Sequence, residues 1–302
     1  ITDTERRFAV FKNGHIIGAV IASVIGLVGY FNIGGTGSYL SPIFRAQGTF
    51  KDPNVLSTYL ILPAVLMTQD VMLGTKKWQW LRYAGLGLVV ACLFLAFSRG
   101  AWVNFAGSVM LMVIFTFTLT PSPQLRTRIL LLAIGGLILM AVMLAGLLSI
   151  DTVKAAFADR ATLAKDYDSG EFGRFGNQMN SIPMLLERPF GFGPREFGKI
   201  FGLDPHNVYI NAFGSYGWLG GITYMLLIIS TLIVGFKGLL MRTPWQGASI
   251  VLFVTFFCTA MQGVQIDTDH WRHFYWMLGL TWGLYAASAN YLARHSVEQA
   301  GR

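Results

Sequence analysis

Apolar segments long enough to cross a lipid bilayer dominate this 302-residue chain. A helix that spans the hydrocarbon core needs about 20 consecutive, mostly apolar residues. Eight segments meet or approach that length: about 14–31, 53–70, 82–98, 101–120, 129–149, 207–235, 247–265 and 273–291. Only 13% of the residues are charged, whereas a soluble domain carries about 25%. We therefore predict an all-α fold: a polytopic transmembrane bundle of about eight spans that forms a single integral membrane domain over residues 1–302.

One short polar turn divides what would otherwise be a single apolar run. The turn Ser98-Arg99-Gly100 lies between the apolar segments 82–98 and 101–120. Without it the run would contain about 38 residues, which is far too long for one span. We therefore predict a helical hairpin that brings Arg99 to one surface of the membrane.

The distribution of basic residues between alternate loops predicts the orientation of the bundle, because such residues concentrate in cytoplasmic loops. The two termini and the loops 70–82, 121–128 and 236–246 contain 12 basic and 4 acidic residues, and the other segments contain 11 of each. The net charge of +8 therefore lies on one side, which we assign to the cytoplasm. Both termini are then cytoplasmic, and the charge requires no nucleic-acid partner. Because the chain begins with Ile1 rather than Met, we expect further helices upstream.

A long polar segment, 149–207, interrupts the apolar pattern on the side opposite to the cytoplasm. We predict that it forms a periplasmic loop with short amphipathic helices. Its residues 177–188 place apolar side chains near helical spacing, and a helix of this type can lie on a membrane surface. The loop also contains the glycine-rich turn Pro189-Phe-Gly-Phe-Gly-Pro194. These glycines predict a lid that folds back over the bundle.

Three residues on this outer side are candidates for catalysis. Arg99 and Arg174 carry planar guanidinium groups, which suit phosphate oxygens. His206 follows Asp204-Pro205, which we interpret as the N-cap and first residue of the next helix, so that the helix dipole disfavours a charged imidazole. A neutral imidazole beside an anion site can act as a general base. The alternatives are an interface anchor for Arg99, a solvated loop residue for Arg174 and a capping residue for His206.

Other polar residues on the same side are predicted to bind substrate. They are Arg45, Lys51, Asn54, Arg188, Arg195 and Asn207. An ordinary turn explains Asp52-Pro53-Asn54 equally well. A rival hypothesis places a divalent metal on the segment Asp267-Thr-Asp269-His270-Trp-Arg-His273, because carboxylates and imidazoles are metal ligands. That spacing matches no specific metal motif, so we predict neither a metal nor another cofactor.

Five short motifs follow one another in a recognisable order. They are Arg-x-x-Gly-Thr-Phe-x-Asp-Pro-Asn (45–54), Ser-Arg-Gly-Ala-Trp (98–102), Gly-Arg (173–174), Arg-Pro-Phe-Gly-Phe-Gly-Pro (188–194) and His-Asn-x-Tyr (206–209). In this order they resemble the bacterial O-antigen ligase and O-antigen polymerase superfamily, over about residues 40–235. The resemblance implies a multi-pass glycosyltransferase of the bacterial inner membrane, with its active site facing the periplasm.

The resemblance also implies a reaction and roles for the three candidate residues. The enzyme would transfer a glycan from undecaprenyl diphosphate to an acceptor sugar, without a metal, and we expect inversion at the anomeric carbon. Arg99 and Arg174 would hold the diphosphate, and His206 would deprotonate or orient the acceptor hydroxyl.

The identity of the acceptor sugar stays undecided at this point. It is either lipid A core, as in lipopolysaccharide biosynthesis, or a growing O-antigen or exopolysaccharide chain. Membrane lipids complete the expected partners. The alternative from another class is a transporter or flippase of the same lipid-linked oligosaccharide. Key groups of transporters lie near the membrane midplane, whereas here they cluster at one rim, which favours the transferase.

Overall fold

The computed structural model describes residues 3–74, 79–161 and 173–300, and within these ranges the chain forms helices and no strands. The helices are α1 (Asp3–Tyr30), α2 (Gly37–Leu40), α3 (Pro53–Leu73), α4 (Gln79–Leu95), α5 (Arg99–Leu119), α6 (Pro123–Leu148), α7 (Asp151–Ala161), α8 (Arg174–Leu186), α9 (Phe197–Phe201), α10 (Val208–Leu240), α11 (Gln246–Gln262) and α12 (Arg272–Ala300). The all-α prediction is confirmed for these ranges. Four basic residues counted above lie outside these ranges: Lys76, Lys77, Lys165 and Arg302.

Each of the eight predicted apolar segments falls on a helix. Among the described residues, α1, α3, α5, α6 and α10 are long and apolar enough to cross a membrane, and α4 and α11 are apolar but shorter. The chain is therefore a multi-pass membrane protein. The number of eight spans and the orientation of the bundle stay predictions.

The centre of the bundle is built from α3 and α11. Both helices bury apolar side chains on several faces, among them Leu60, Ile61, Val251 and Phe256. Helices that are apolar all round are suited to such a central position. By contrast, α6 has almost no buried residues although it is the most apolar of the long helices. Its side chains suit contact with lipid rather than with the rest of the protein.

The bundle has two ends, which we name after a charged residue at each. At the first, which we call the Asp70 end, the Asp70 carboxylate binds Lys12 Nζ at 2.9 Å and Arg82 Nη1 at 3.0 Å. At the second, the Arg99 end, α4 finishes and α5 begins. Lys12 and Arg82 belong to the predicted cytoplasmic set, whereas Arg99 belongs to the opposite set. The separation of the two sets agrees with the charge pattern, although it does not show which end faces the cytoplasm.

The predicted amphipathic segment 177–188 is observed as α8, which begins three residues earlier than expected. Arg174 is therefore the first residue of a helix and not a residue of a glycine-flanked loop. This correction matters because a helix fixes the backbone of Arg174 relative to the residues that follow it.

The Asp70 cluster predicts a difference between buried and exposed ion pairs. In Asp70→Asn, Lys12 and Arg82 lose their common counter-charge in a half-buried site, which should lower the free energy of unfolding by about 2 kcal/mol. Asp3→Asn removes an exposed partner of Arg7 and should change little. Thermal unfolding of both variants in detergent, followed by tryptophan fluorescence, is the measurement. Equal effects would contradict the assignment of Asp70 as a stabilising contact.

Candidate active site

The Arg99 end is organised around a tight connection between two helices. α4 ends at Leu95 and α5 begins at Arg99, so the apolar run is divided into two helices at the predicted turn. Phe97 adopts a positive φ of 47° in this connection, a conformation that is uncommon for a bulky residue. The Trp102 ring stacks on Phe94 with ring centroids 5.0 Å apart. Arg99 itself is half-buried at the start of α5.

The segment that contains Arg45 closes this connection from one side. The Arg45 guanidinium is buried and donates from Nε to the Ala96 carbonyl oxygen at 2.7 Å and from Nη2 to Asn54 Oδ1 at 2.9 Å. Ala96 lies three residues before Arg99, so Arg45 holds the backbone from which Arg99 projects. The two predicted binding residues Arg45 and Asn54 therefore meet each other, while Lys51 is exposed.

Helix α7, the first part of the 149–207 segment, covers the same connection. The Phe157 ring stacks on both Trp102 and Phe94, with ring centroids 5.6 and 5.7 Å apart. Val153, one turn earlier, is fully buried. Aromatic stacking of this kind adds about 0.5–1.5 kcal/mol beyond burial of the ring area. The long polar segment is thus attached to the bundle beside Arg99.

The end of α11 links the Arg99 connection to the start of α10. Gln262 Oε1 accepts a hydrogen bond from Asn104 Nδ2 of α5 at 2.7 Å. A Cβ atom added to Gly100 would lie 3.1 Å from Gln262 Nε2. On the other side, the Val208 N–H donates to the Gly263 carbonyl oxygen at 2.8 Å. We call this junction the Gln262–Gly263 corner, and it brings the backbone next to Arg99 and the backbone next to His206 to one place.

The structure corrects the predicted start of α10. The N-cap is Asn207, whose Oδ1 accepts from the N–H groups of Tyr209 at 3.1 Å and Ile210 at 3.2 Å. Asp204 and Pro205 are therefore not the cap and first helical residue, and His206 precedes the cap instead of lying in the first turn. The dipole argument for its neutral form loses its geometric basis. His206 is half-buried and has a φ of 45°, in the left-handed region that histidine adopts infrequently.

Helix α8 is tied to the residues that lead into His206. Asn177 Nδ2 donates to the Phe201 carbonyl oxygen at 3.0 Å, and Gln178 Nε2 donates to the Pro205 carbonyl oxygen at 2.7 Å. Pro205 is the residue directly before His206. The helix that begins at Arg174 is thus fixed, one turn from its start, beside the histidine. The Arg174 side chain lies outside the described part of the structure.

The glycine-rich turn docks into an interruption of α10. Gly217 has a φ of 70° and a ψ of −167°, which breaks the helix. At the break the Trp218 N–H donates to the Pro189 carbonyl oxygen at 2.9 Å, and the Phe192 N–H donates to the Gly214 carbonyl oxygen at 2.7 Å. A Cβ on Gly191 would lie 2.6 Å from that same Gly214 oxygen. Glycine at 191 is therefore required both by its positive φ and by the close approach of α10.

Two predicted binding residues flank this docked turn. Arg188 is exposed and stacks over the Phe192 ring, with its Cζ 5.5 Å from the ring centroid. Arg195 is exposed with a φ of 65°. Both guanidinium groups are accessible to an anion, whereas the third residue predicted in this region, Asn207, is buried and uses its side chain as the helix cap. The binding roles of all three stay predictions.

Asp267 also lies close to the candidate site, which the sequence did not indicate. It lies in the turn between α11 and α12, and burial raises its pKa from 3.8 to about 7, assisted by the negative charges of Asp269 and Asp204. His270 and a hydrogen bond from the Asn207 N–H oppose this rise. Asp267 Oδ1 is buried and has no partner among the described residues. A carboxyl group that titrates near neutral pH therefore lies against the residue that follows His206.

The described residues do not form a set of ligands that would support the metal hypothesis for Asp267 and Asp269. His270 Nδ1 lies 3.3 Å from Asp269 Oδ1, but no three His, Cys, Asp or Glu side chains in the described ranges are grouped to hold a metal ion. The contacts of Asp267 point instead towards the start of α10.

Sequence reasoning missed Gln262 and Asn104 as site residues, although a signal was present. Each is a buried polar residue within or next to a predicted span. Polar groups in such positions need partners and often mark functional places in membrane proteins. The same consideration could have drawn attention to the end of α11.

The docking of the glycine-rich turn predicts a steric difference between two glycine substitutions. Gly191→Ala should prevent the turn from entering the α10 break and lower the thermal midpoint, because its Cβ meets backbone atoms. Gly202→Ala provides the control, since Gly202 has a similar φ of 74° but open space around it. Both variants carry the backbone cost of a positive φ, roughly 1 kcal/mol. The excess destabilisation of Gly191→Ala measures the clash, and no excess would show that the turn is not docked.

The raised pKa of Asp267 predicts a pH dependence of stability. Its pKa of about 7 in the folded protein lies above the usual value. The protonated carboxyl group therefore stabilises the folded state fully at about pH 4, and this stabilisation is lost as the pH rises through about 7. Asp267→Asn, which mimics the protonated form, should remove this loss and be the more stable protein at about pH 8. Thermal midpoints of both proteins across this pH range are the measurement. Parallel curves for the two proteins would refute a titrating Asp267.

A comparison with known families supports the sequence resemblance. The family model described as O-antigen ligase matches residues 84–225. The matched segment begins in α4 and ends in α10, so it contains the Arg99 connection, α7, α8, the docked turn and His206. No curated protein and no solved structure matched the chain.

Proposed function

We propose that this chain, whose residues 84–225 belong to the O-antigen ligase family, is an inner-membrane glycosyltransferase with a lipid diphosphate-linked glycan as donor. The family supports glycan transfer in general. The finer proposal is that undecaprenyl diphosphate carries the donor glycan, that the active site faces the periplasm, and that Arg99, Arg174 and His206 act on the reacting groups.

The observation that carries this proposal is the Gln262–Gly263 corner. Gln262 packs against Gly100 and Gly263 accepts from the Val208 N–H. Because Gly100 follows Arg99 and Val208 lies two residues after His206, both candidate residues belong to one end of the bundle. The Gln178 contact with Pro205 adds the helix that begins with Arg174. Residues from distant parts of the sequence therefore converge at one end of the bundle, which supports a site for a lipid-linked substrate there.

Backbone strain gives independent support for a functional site at this end. Both Phe97 and His206 adopt positive φ values, 47° and 45°. Such conformations cost roughly 1–3 kcal/mol each and persist where the surrounding structure enforces them, often in active sites. One of these residues lies two positions before Arg99, and the other is the proposed base itself.

The proposed reaction is a direct displacement at the anomeric carbon of the donor sugar. The oxygen of the acceptor hydroxyl forms the new bond to that carbon, and the bond to the diphosphate oxygen breaks. Arg99 and Arg174 stabilise the negative charge that develops on the leaving diphosphate, as positioned cations do in other transferases. A single displacement inverts the anomeric configuration. The acceptor proton leaves to a base of the protein, and no metal takes part in these steps.

Two groups are candidates for that base. His206 is favoured by its position directly before Asn207, the N-cap of α10, and because histidine is the side chain that enzymes use most often as a general base. Asp267 competes, because its pKa of about 7 also allows it to accept a proton near neutral pH. The pH dependence of turnover separates them, since Asp267→Asn should leave the profile unchanged if His206 alone is the base.

The proposed acceptor is either lipid A core or the growing end of a second lipid-linked glycan. The first makes the enzyme a ligase of lipopolysaccharide biosynthesis, and the second makes it a polymerase of O-antigen or exopolysaccharide. Arg45, Lys51, Asn54, Arg188, Arg195 and Asn207 stay proposed contacts for donor or acceptor. Of these, the exposed Lys51, Arg188 and Arg195 are the most accessible to an anionic substrate.

The decisive experiment uses purified protein in vesicles with undecaprenyl-diphosphate-linked glycan and each acceptor in turn. The expected result is release of undecaprenyl diphosphate and elongation of one acceptor in the presence of a chelator. Which acceptor is elongated distinguishes ligase from polymerase, and the anomeric configuration of the product tests inversion. A flippase would move the labelled lipid across the vesicle without releasing the diphosphate, and this outcome would overturn the proposal.

Substitutions at the three candidate residues test their roles. Arg99→Ala, Arg174→Ala and His206→Ala should each lower turnover by about 10²–10³-fold, the usual effect of removing one group that stabilises a transition state. Arg99→Lys keeps the charge but loses the planar fork, so it should retain part of the activity. Arg242→Ala, at an exposed position outside the Arg99 end, is the matched control. Normal turnover in His206→Ala would remove His206 from the mechanism.

A further inference from the structure

Helix α8 turns its apolar face away from the protein. Four large apolar residues follow helical spacing along one face, Phe175, Met179, Ile182 and Leu186, and all four are exposed, with Met179 68% and Leu186 67% accessible. Phe190, just beyond the helix, is 93% accessible. In a soluble protein such a face would pack on the core.

The opposite face of α8 is polar and buried. Asn177 and Gln178 use their side-chain amides to bind the Phe201 and Pro205 carbonyl oxygens, and Ser181 is fully buried with its hydroxyl donating to the Gln178 carbonyl oxygen. The helix is therefore held to the protein by hydrogen bonds, and these contacts fix its rotation. Exposure of the apolar face is a consequence of this attachment.

The apolar face of α8 adjoins a surface that faces lipid. Trp218 Nε1 donates to the Leu185 carbonyl oxygen in the last turn of α8 at 2.9 Å. Beyond Trp218, α10 is long and apolar enough to cross a membrane, and it exposes Leu219, Ile222 and Leu226. Exposed apolar residues on such a helix contact hydrocarbon. The C-terminal end of α8 thus lies where a spanning helix begins.

Two aromatic residues lie at the same point of α10, next to its contact with α8. Tyr216 and Trp218 are both partly exposed at the break in α10. Tyrosine and tryptophan concentrate at membrane–water interfaces, where one part of the ring system is apolar and another part is wet. Exposed Tyr216 and Trp218 at the break in α10 fit a boundary between hydrocarbon and headgroups at this level, and α8 is hydrogen-bonded to Trp218.

From these observations we infer that α8 is an in-plane membrane anchor, with the apolar face formed by Phe175, Met179, Ile182 and Leu186 inserted at the surface of the bilayer. Amphipathic helices of this kind place their apolar face about 5–10 Å into the boundary between headgroups and acyl chains. The inference does not depend on the proposed reaction. It has a consequence for that reaction, because a helix anchored in the plane sets the height of Arg174 above the hydrocarbon.

The test labels single cysteines with the fluorophore NBD in the full chain, with Cys92 and Cys258 replaced by Ser. Met179→Cys and Leu186→Cys report on the apolar face, and Glu187→Cys, at the exposed C-cap position, is the matched control. The proteins are reconstituted in phosphatidylcholine and phosphatidylglycerol vesicles, some of which contain nitroxide-labelled acyl chains. Insertion predicts that these lipids quench positions 179 and 186 at least about twofold more than position 187, with the reverse order for aqueous iodide.

Two outcomes would overturn the inference. Quenching by iodide that is equal at 179 and 187, with no quenching by lipid, would show that the face remains in water. Protection of position 179 from both quenchers, together with disulfide crosslinking between two Met179→Cys chains, would show that a second copy covers the face. If the cysteine-free protein does not fold, the native cysteines are kept and the signal of the labelled parent protein is subtracted. Cys92 is buried and Cys258 half-buried, which limits that background.

Discussion

The hydrogen bonds at the end of α11 are the contacts on which the geometry of the Arg99 end depends. Gln262 joins α11 to α5 through Asn104, and the next residue, Gly263, accepts from the first N–H of α10. Buried polar groups in a membrane protein require such partners, because neither lipid nor apolar side chains can replace them. Gln262 also lies 3.4 Å from Thr58 Oγ1 of α3. The helices α3, α5 and α11 and the entry to α10 are thereby held together at one end of the bundle.

This arrangement explains how a site can form from residues that lie far apart in the sequence. The bundle supplies a rigid rim at Arg99, where Arg45 fixes the backbone and Phe157 covers Trp102. The 149–207 segment then contributes helices that are attached by their own polar contacts. Rigid elements place reactive groups more accurately than free loops do. Under the proposed function, a lipid-linked substrate would reach such a site from the plane of the membrane and would need no opening through the bundle.

The sequence predicts the helices well because their length and apolarity are local properties. The hairpin at Arg99 follows from the same reasoning, since no single helix could contain the whole apolar run. The predicted start of α10, with Asp204 as its N-cap, was wrong. Asp204 and Asn207 are both good N-cap residues, and the contact of Val208 with Gly263 favours the second. The position of Asp267 beside the start of α10 could not be predicted from neighbouring residues, because its contact with Asn207 joins parts of the chain about 60 residues apart. Local chemistry named the candidates at Arg99, Arg174 and His206, and tertiary contacts decide how they face one another.

The interruption of α10 at Gly217 has a consequence for how the outer segment can move. A broken helix leaves backbone groups that need partners, and the Pro189 carbonyl oxygen and Phe192 N–H supply them. Withdrawal of the glycine-rich turn would remove these partners from the Trp218 N–H and the Gly214 carbonyl oxygen, at a cost of about 1–3 kcal/mol for each group that stays away from water. The glycines of this stretch therefore also allow the turn to approach α10 closely. The turn is anchored to α10 by these hydrogen bonds and is not joined to the bundle through the chain alone.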